Sequence, residues 1–173
     1  SVKNLTDILN DFLSLEKLEA GKVETRFEDT NFHHYCEEIT EEMQSVSKVG
    51  QEIVFNYTGD QIAYIDKVLM RHILVNLLNN AIKYSPENSK IDFEVINDTS
   101  IYIKIKDYGI GIPKEDQQHL FERFFRAGNV TAIQGTGLGL NIVQRYIHKL
   151  NGTITVTSIE NEGSTFNITL PKS

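Results

Sequence analysis

The chain has 173 residues, 40% of them hydrophobic, and a formal net charge of −7, which suits one domain with its own core and a small appendage. The acidic balance argues against a general binder of nucleic acids or membrane surfaces, and no apolar run approaches the roughly 20 residues of a membrane span. The single cysteine, Cys36, excludes an internal disulfide bond and fits a reducing compartment.

The first 20 residues predict a helix that ends at Gly21. Its apolar side chains recur at 3-4-3 spacing, and neighbours widen the stripe: Leu5, Ile8, Leu9, Phe12, Leu13, Leu15 and Leu18. Such a seam is typical of a coiled coil or helical bundle. Two interpretations remain open: the helix packs on its own domain, or it is one helix of a bundle whose other helices are missing here.

Residues 22–30 predict an extended connector, after which Thr30 or Asn31 can cap a second helix. That helix has a regular apolar face, made of Phe32, Tyr35, Cys36, Ile39, Met43 and Val46. We expect Cys36 to be a core residue. His33 and His34 do not form part of a recognisable metal-binding motif, and we expect both at the surface.

Residues 53–57 and 62–65 predict two short strands joined by Gly59 and Asp60. Asp66 is a candidate cap for the next helix, which reaches about Tyr84 and whose core side carries Leu74, Leu78, Ala81 and Ile82. Asn76, Asn80 and Lys83 follow one polar stripe along it. If that stripe is partly buried, its amides need partners, which a Mg²⁺-triphosphate would supply. The alternative is a solvated face.

Residues 91–96 and 101–106 alternate with period two and predict a β-hairpin. The second strand leads into residues 107–113, DYGIGIP, where the carboxylate of Asp107 can accept a hydrogen bond from the exocyclic amine of a base. Residues 113–121 predict a short helix with proline at its start.

Residues 122–136 lack periodicity and predict a mobile lid. A second glycine motif, GTGLGL at 135–140, opens a helix over residues 137–150, and a helix N-terminus suits phosphate. Residues 153–159 and 165–170 predict a final hairpin. Each glycine motif alone is a weak signal, since such turns are often merely structural, but together they indicate a nucleotide held at both ends.

Strand pairs thus alternate with helices along the chain. We therefore expect an α/β (α+β) two-layer sandwich, with a mixed, mostly antiparallel sheet and helices on one face, plus the N-terminal helix. Because hairpins make most neighbouring strands antiparallel, a doubly wound parallel sheet is not expected.

Five motifs in this order resemble the ATP-binding catalytic domain of bacterial sensor histidine kinases, which act in two-component phosphorelay signalling. Residues 76–86 resemble its N box, 107–113 its G1 box, 121–126 its F box, 135–140 its G2 box, and 162–166 its closing glycine motif. The family's fold, the Bergerat ATP-binding sandwich, agrees with the predicted order of elements.

The resemblance implies ATP and Mg²⁺ as ligands. Asp107 would bind the adenine amino group, Gly111 would allow close approach to the base, and Asn80 would be the Mg²⁺ ligand. Asn76, Asn80, Lys83 and Arg126 are implied as catalytic, with Arg126 at the γ-phosphate. Phe121, Phe124 and Phe125 would anchor the lid. The full implied nucleotide site is Asn76, Asn80, Lys83, Tyr84, Asp107, Gly109, Gly111, Ile112, Phe121, Arg126, Gly135, Thr136, Gly137, Leu138, Gly139, Leu140 and Thr165.

The resemblance also implies three regions: residues 1–21 as the C-terminal helix of a dimerisation and phosphoacceptor bundle, 22–30 as linker, and 31–173 as catalytic domain. None of the five histidines (His33, His34, His72, His119 and His148) has the context of the acceptor. We therefore expect a chain truncated after its acceptor, which binds ATP but cannot autophosphorylate in the usual way.

The implied partners are the missing dimerisation domain with its acceptor histidine and the receiver domain of a response regulator. A homodimer is implied for the full-length protein, and a monomer or weak dimer for this chain. We expect a cytoplasmic domain that contacts neither nucleic acid nor membrane. Whether the full-length protein is anchored in the inner membrane stays open.

Two alternatives remain. Gyrase-, chaperone- and mismatch-repair-type ATPases share the fold, but carry a glutamate as general base where this chain has Asn76, which favours phosphoryl transfer over hydrolysis. Anti-sigma serine kinases lack a bundle helix like residues 4–20. The second alternative is a non-catalytic nucleotide-binding module that dimerises through its first helix, which predicts weak or metal-independent binding.

Overall fold

The computed structural model describes residues 2–123, 125–128 and 138–172. In chain order the elements are α1 (Val2–Glu19), β1 (Glu28–Asn31), α2 (Phe32–Ser45), β2 (Glu52–Gly59), β3 (Ile62–Ile65), α3 (Lys67–Tyr84), β4 (Lys90–Asn97), β5 (Ser100–Asp107), a 3₁₀ helix (Lys114–His119), α4 (Gly139–Lys149), β6 (Thr153–Ile159) and β7 (Gly163–Pro171). Except for β1, each of these elements was predicted from the sequence pattern, with small differences at the ends.

The main sheet has five strands in the order β2-β4-β5-β7-β6. β2 and β4 are parallel, and the other three pairs are antiparallel. Alternate residues of the central strands, such as Ile103 in β5 and Ile168 in β7, are buried on one face together with residues of α2, α3 and α4. The expected two-layer sandwich with a mixed, mostly antiparallel sheet is confirmed.

The pairing of β2 and β3 differs from the expectation of strand pairs joined as hairpins. β3 leaves the main sheet and pairs antiparallel with β1, so the end of the expected connector is itself a strand. Buried Asn97 contributes to this separation, because its Nδ2 donates to the carbonyl oxygens of Asp60 (2.7 Å) and Ile62 (3.1 Å). These contacts join residues more than 30 positions apart and leave no local sequence pattern.

The second helix begins and packs as expected, except at its end. Asn31 caps α2 by accepting a hydrogen bond from the backbone N–H of His34 at 3.0 Å, and Cys36 is buried in the core. Val46 was expected on the apolar face, but the helix ends at Ser45 and the Val46 side chain is exposed.

Helix α1 packs on the domain with only part of its apolar seam. Leu15 is 3% exposed and joins the core, and Ser14 is hydrogen-bonded with the Tyr146 hydroxyl of α4. Four other seam residues remain exposed, namely Leu5, Leu9, Phe12 and Leu13. The helix therefore contacts its own domain and still presents an uncovered apolar face, and its place in a bundle stays a prediction. None of the described helices combines the length and apolarity needed to cross a bilayer.

The central helix α3 is fixed at its N-terminus by Asp66, as expected. Its Oδ1 accepts hydrogen bonds from the backbone N–H groups of Val68 and Leu69, both at 3.0 Å. Its Oδ2 accepts a third, at 2.7 Å, from the backbone N–H of Arg26 in the connector. The same buried carboxylate therefore caps α3 and holds the connector that leads from α1.

Replacing this carboxylate should destabilise the protein measurably. We expect Asp66→Ala to lower the free energy of unfolding in urea by about 2 kcal/mol, the upper end for loss of an N-cap, because three N–H groups lose their acceptor. Asp66→Asn retains the capping oxygen and loses only the acceptor for Arg26. Its free energy of unfolding should therefore lie between that of the wild type and that of Asp66→Ala. Equal stability of Asp66→Ala and the wild type would contradict the capping role.

Candidate functional site

One cavity of about 260 Å³ lies between α3, the turn after β5 and the start of α4. Residues of β7, of the segment after the 3₁₀ helix and of α1 complete its walls. It is lined by Asn10, Asp11, Asn76, Asn79, Asn80, Lys83, Tyr84, Asp107, Ile110, Gly111, Ile112, Leu120, Phe125, Arg126, Ala127, Gly139, Leu140, Ser164 and Phe166. Both glycine motifs and the polar stripe of α3 therefore border the same space.

The polar stripe of α3 forms one wall. Leu74 and Leu78 bury the opposite side of the helix in the core, so the amphipathic pattern aims the stripe at the cavity. Asn76 donates from Nδ2 to the carbonyl oxygen of His72 at 2.8 Å. Among the described residues, the half-buried side chains of Asn80 and Lys83 make no hydrogen bond or ion pair. The stripe is thus partly buried and open to a ligand, rather than fully solvated.

Asp107 lies at the end of β5, and its side chain is 7% exposed. Its Oδ1 accepts hydrogen bonds from the backbone N–H groups of Gly109 at 3.0 Å and Ser164 at 3.3 Å. No described residue donates to Oδ2, which is left as an acceptor at the cavity. Burial raises the pKa of this carboxyl above its ordinary value, and the two N–H donors oppose the rise.

The turn after Asp107 depends on glycine for packing. Gly111 has a φ of +67°, and a Cβ there would meet the carbonyl oxygen of Ile159. A Cβ on Gly109 would meet the carbonyl oxygen of Tyr84. We expected Gly111 to be glycine so that a base could approach. Gly111 lines the cavity, so that expectation stays a prediction. The structure adds a second reason for glycine, which is close packing of the turn against the end of β6 and against α3.

The base of the predicted lid carries Phe125, Arg126 and Ala127 into the cavity wall. The guanidinium of Arg126 lies near Tyr84, where burial raises the pKa of the phenol and the positive charge opposes that rise. Nearby, Arg123 forms an ion pair with Glu19 of α1. Four residues predicted for the lid and the second glycine motif lie outside the described residues: Phe124, Gly135, Thr136 and Gly137.

Of the predicted site residues that the structure describes, four do not line the cavity: Gly109, Phe121, Leu138 and Thr165. The first three lie beside it, Gly109 against Tyr84, Phe121 against the core and Leu138 buried before α4. Thr165 is different, because side chains alternate across a strand and its neighbours Ser164 and Phe166 face the cavity instead. The phase of Ile168 and Leu170, buried on that same face, could have indicated this from the sequence.

Several lining residues were not predicted as part of the site. Ser164 is buried, and its Oγ lies 2.8 Å from the Oγ of Ser158, which also accepts from the backbone N–H of Ile112. Asn79, Ile110, Leu120, Ala127 and Phe166 complete the walls near the motifs. Asn10 and Asp11 come from α1, and no pattern in the sequence connects that helix with this cavity.

The donors at this cavity suit a metal that arrives with a ligand. In the described part of the chain, no group of three His, Cys, Asp or Glu side chains could hold a metal ion. The amide oxygen of Asn80 can supply one oxygen ligand, and Mg²⁺ ordinarily completes its shell with phosphates and water. The residues present therefore fit Mg²⁺ bound together with a polyphosphate.

Comparison with known proteins agrees with this geometry. Residues 65–173 match the family described as histidine kinase-, DNA gyrase B-, and HSP90-like ATPase. The chain is 32% identical to the adaptive-response sensory kinase SasA of Rippkaea orientalis over 95% of its own length, and 32% identical to the sensor histidine kinase WalK of Bacillus subtilis, also over 95%. It spans only 43% and 28% of those two proteins.

A solved structure shows the same fold. The mycobacterial sensor histidine kinase MprB superimposes with a TM-score of 0.75 at 26% sequence identity, over 84% of this chain and 98% of the MprB chain. The expected resemblance to sensor histidine kinases is confirmed.

The buried carboxyl of Asp107 should make stability depend on pH. Burial raises the pKa of Asp107 in the folded state, so folding disfavours the ionised carboxylate. The carboxylate therefore destabilises the folded protein increasingly as the pH rises from the ordinary carboxyl pKa, about 3.9, through the raised pKa of the folded state. Asp107→Asn keeps the oxygen that accepts from Gly109 and Ser164 and does not titrate. Relative to the wild type, we expect the unfolding free energy of this variant to increase from about pH 3 to about pH 7 in urea titrations. A pH-independent difference would contradict this.

Proposed function

The chain belongs to the family of histidine kinase-, DNA gyrase B- and HSP90-like ATPases, and we propose that its cavity binds Mg²⁺-ATP for transfer of the γ-phosphate to a histidine. The proposal rests on one observation: the same cavity holds a carboxylate oxygen of Asp107 and the amide and ammonium groups of Asn80 and Lys83, none of which has a partner among the described residues. A nucleotide presents an amine at one end and phosphates at the other, which matches this arrangement.

The end of the cavity at Asp107 suits adenine. Oδ1 is occupied by two backbone donors, so Oδ2 can accept one hydrogen bond, which matches the exocyclic amine of adenine. Ile110 and Ile112 supply apolar walls beside it, as small-molecule sites usually require.

The phosphate end lies along α3 towards Asn76. Residues 76 and 84 are about 12 Å apart along the helix axis, at 1.5 Å per residue. Lys83 would contact a phosphate as a point charge, and the guanidinium of Arg126 would meet the γ-phosphate from the base of the lid. Mg²⁺, held by the oxygen of Asn80 and by the phosphates, would neutralise part of their charge.

The chemistry that this wall supports is transfer rather than hydrolysis. In transfer, the lone pair of an imidazole nitrogen forms a P–N bond while the bond from the γ-phosphorus to the bridging oxygen breaks, and ADP leaves with the electron pair. Asn76 cannot take a proton from water, because an amide is no general base. This chain would therefore act by positioning and charge stabilisation, the main sources of catalysis in phosphoryl transfer.

We further propose that residues 1–21 are a helix of a dimerisation and phosphoacceptor bundle, residues 22–30 a linker, and residues 31–173 the catalytic domain. The exposed seam of α1 supports this, because Leu5, Leu9 and Phe12 form an apolar face that a bundle would cover. On this proposal the partners are that bundle, which supplies the acceptor histidine, and the receiver domain of a response regulator. The full-length protein would be a homodimer whose catalytic domains lie in the cytoplasm.

Calorimetric titration with a non-hydrolysable ATP analogue tests the site directly. We expect binding that weakens when EDTA replaces Mg²⁺. Asp107→Asn should lose about 1.5–3 kcal/mol of binding free energy, the range for a hydrogen bond to a charged group, because its amide offers a donor where the base also has one. Asn80→Ala should bind equally with and without Mg²⁺.

Transfer is then tested with radiolabelled ATP and a separate helical bundle that carries an acceptor histidine. Acid-labile phosphate on the bundle is expected, and replacing its histidine by alanine should abolish the label. Binding indifferent to both Asp107 and Mg²⁺ would favour the non-catalytic module instead. Steady release of inorganic phosphate without labelling of the bundle would favour an ATPase.

Two adjacent residues of β7 give a sharp test of which face binds the nucleotide. Ser164 lines the cavity beside Asp107, whereas Thr165 does not line it. We expect Ser164→Ala to weaken binding of the ATP analogue by about 1 kcal/mol, typical of one hydrogen bond, and Thr165→Ala to leave it unchanged. The opposite ranking in the same titration would mean that the register assigned to β7 at the cavity is wrong.

A further inference from the structure

The C-terminal end of α3 is unusually well paired. The last carbonyl groups of a helix have no partner inside it, yet here every carbonyl from Ile82 to Pro86 accepts a donor from elsewhere. Gln51 Nε2 lies within hydrogen-bonding distance of three of these oxygens, on Ile82 (3.1 Å), Ser85 (3.1 Å) and Pro86 (3.2 Å). Its two hydrogens are shared among them.

Lys48 and the turn after β5 complete the set. Lys48 Nζ donates to the carbonyl oxygens of Lys83 (2.9 Å) and Ser85 (2.8 Å). The backbone N–H of Ile110 donates to the carbonyl oxygen of Tyr84 at 3.1 Å. Because a helix C-terminus carries a partial negative charge, the Lys48 ammonium also neutralises that end of the helix.

The loop that carries Lys48 and Gln51 is itself fixed. Gln51 is only 4% exposed, and its Oε1 accepts from the backbone N–H of Lys48 at 2.8 Å. Gln44 of α2 donates from Nε2 to the carbonyl oxygen of Gln51, also at 2.8 Å. The clamp, defined here as Lys48 and Gln51, therefore ties the end of α3 to α2 rather than to a free loop.

The clamped turn is the part of α3 that carries Lys83 and Tyr84 into the cavity. Through its carbonyl oxygen, Tyr84 also holds Ile110, which belongs to the opposite wall. A shift of this turn would move a phosphate contact and the adenine wall together. Displacements of about 1 Å at a site can cost two orders of magnitude in rate.

We propose that Gln51 and Lys48 are positioning residues for nucleotide binding, which set the place of Lys83, Tyr84 and the Ile110 turn without touching the nucleotide. This rests on the proposed binding of Mg²⁺-ATP in the cavity. Neither residue was predicted as part of the site, since both precede the first motif by more than 20 positions.

The test compares two buried amides. Gln51→Met and Asn97→Leu each replace a buried amide donor by an apolar side chain of similar size. Asn97 lies at the opposite end of the β4–β5 hairpin from Asp107, about 20 Å away at 3.3 Å per residue. Both variants should melt at lower temperature. Measured where both are folded, the dissociation constant of the ATP analogue should rise about tenfold or more for Gln51→Met and stay near wild type for Asn97→Leu.

Hydrogen exchange of the nucleotide-free protein gives a second readout. Exchange of the Ile110 amide, which is bonded to Tyr84, should accelerate in Gln51→Met beyond the change expected from its lower global stability. In Asn97→Leu it should follow global stability alone. Equal effects of the two substitutions on both affinity and Ile110 exchange would overturn the positioning role.

If Gln51→Met does not fold, substitutions of Lys48 test the same clamp, because Lys48 is at the surface and its replacement should leave the protein folded. Lys48→Met should weaken binding, and Lys48→Arg should restore it, since Arg can still donate to the helix carbonyls. Lys172→Met removes the same charge next to Pro171, which pairs with Ser100 at the opposite end of β5 from Asp107, and should have little effect. An equal loss of affinity in that variant would reduce the Lys48 effect to net charge and overturn the clamp. If the wild type binds no nucleotide, the proposed function fails. If the wild type binds nucleotide and only Asp107→Asn binds more weakly, the proposed function stands and the positioning role of the clamp is overturned.

Discussion

The cavity depends above all on how helix α3 is immobilised. Asp66 satisfies the N–H groups at its start, Lys48 and Gln51 meet carbonyls at its end, and its apolar side is part of the core. A helix fixed at both ends and along one face can hold polar side chains on its remaining face at little further entropic cost. That remaining face is the wall that carries Asn80 and Lys83.

Asp107 illustrates the compromise between stability and function at this site. A carboxylate at the edge of the core is costly to bury, and the two backbone donors on Oδ1 recover only part of that cost. The protein keeps the group, with one oxygen occupied and one directed to the cavity. An acceptor that is already desolvated and oriented loses little when a ligand arrives, so the cost in folding contributes to binding.

The walls of the cavity come from distant parts of the chain, both from the region that matches the family and from α1, which precedes it. The family of histidine kinase-, DNA gyrase B- and HSP90-like ATPases matches from residue 65 onwards, yet Asn10 and Asp11 of α1 also border the cavity. The Arg123–Glu19 ion pair joins the base of the predicted lid to the same helix. Contacts of α1 therefore reach the cavity wall as well as the base of the predicted lid.

The sequence by itself determined all the elements but β1, and several of the polar residues that line the cavity. The Asp66 cap, the period of α3, the β4–β5 hairpin and Asp107 at its end are all local patterns, readable because a helix or strand repeats over a few residues. Only the tertiary structure decided that β2 pairs with β4 rather than β3, and that the turn at Gly111 packs against Ile159. It also decided that the Gln51 amide meets carbonyl oxygens of residues 82, 85 and 86, more than 30 positions away. Such contacts depend on which distant segments meet when the core closes, and local periodicity carries no record of them.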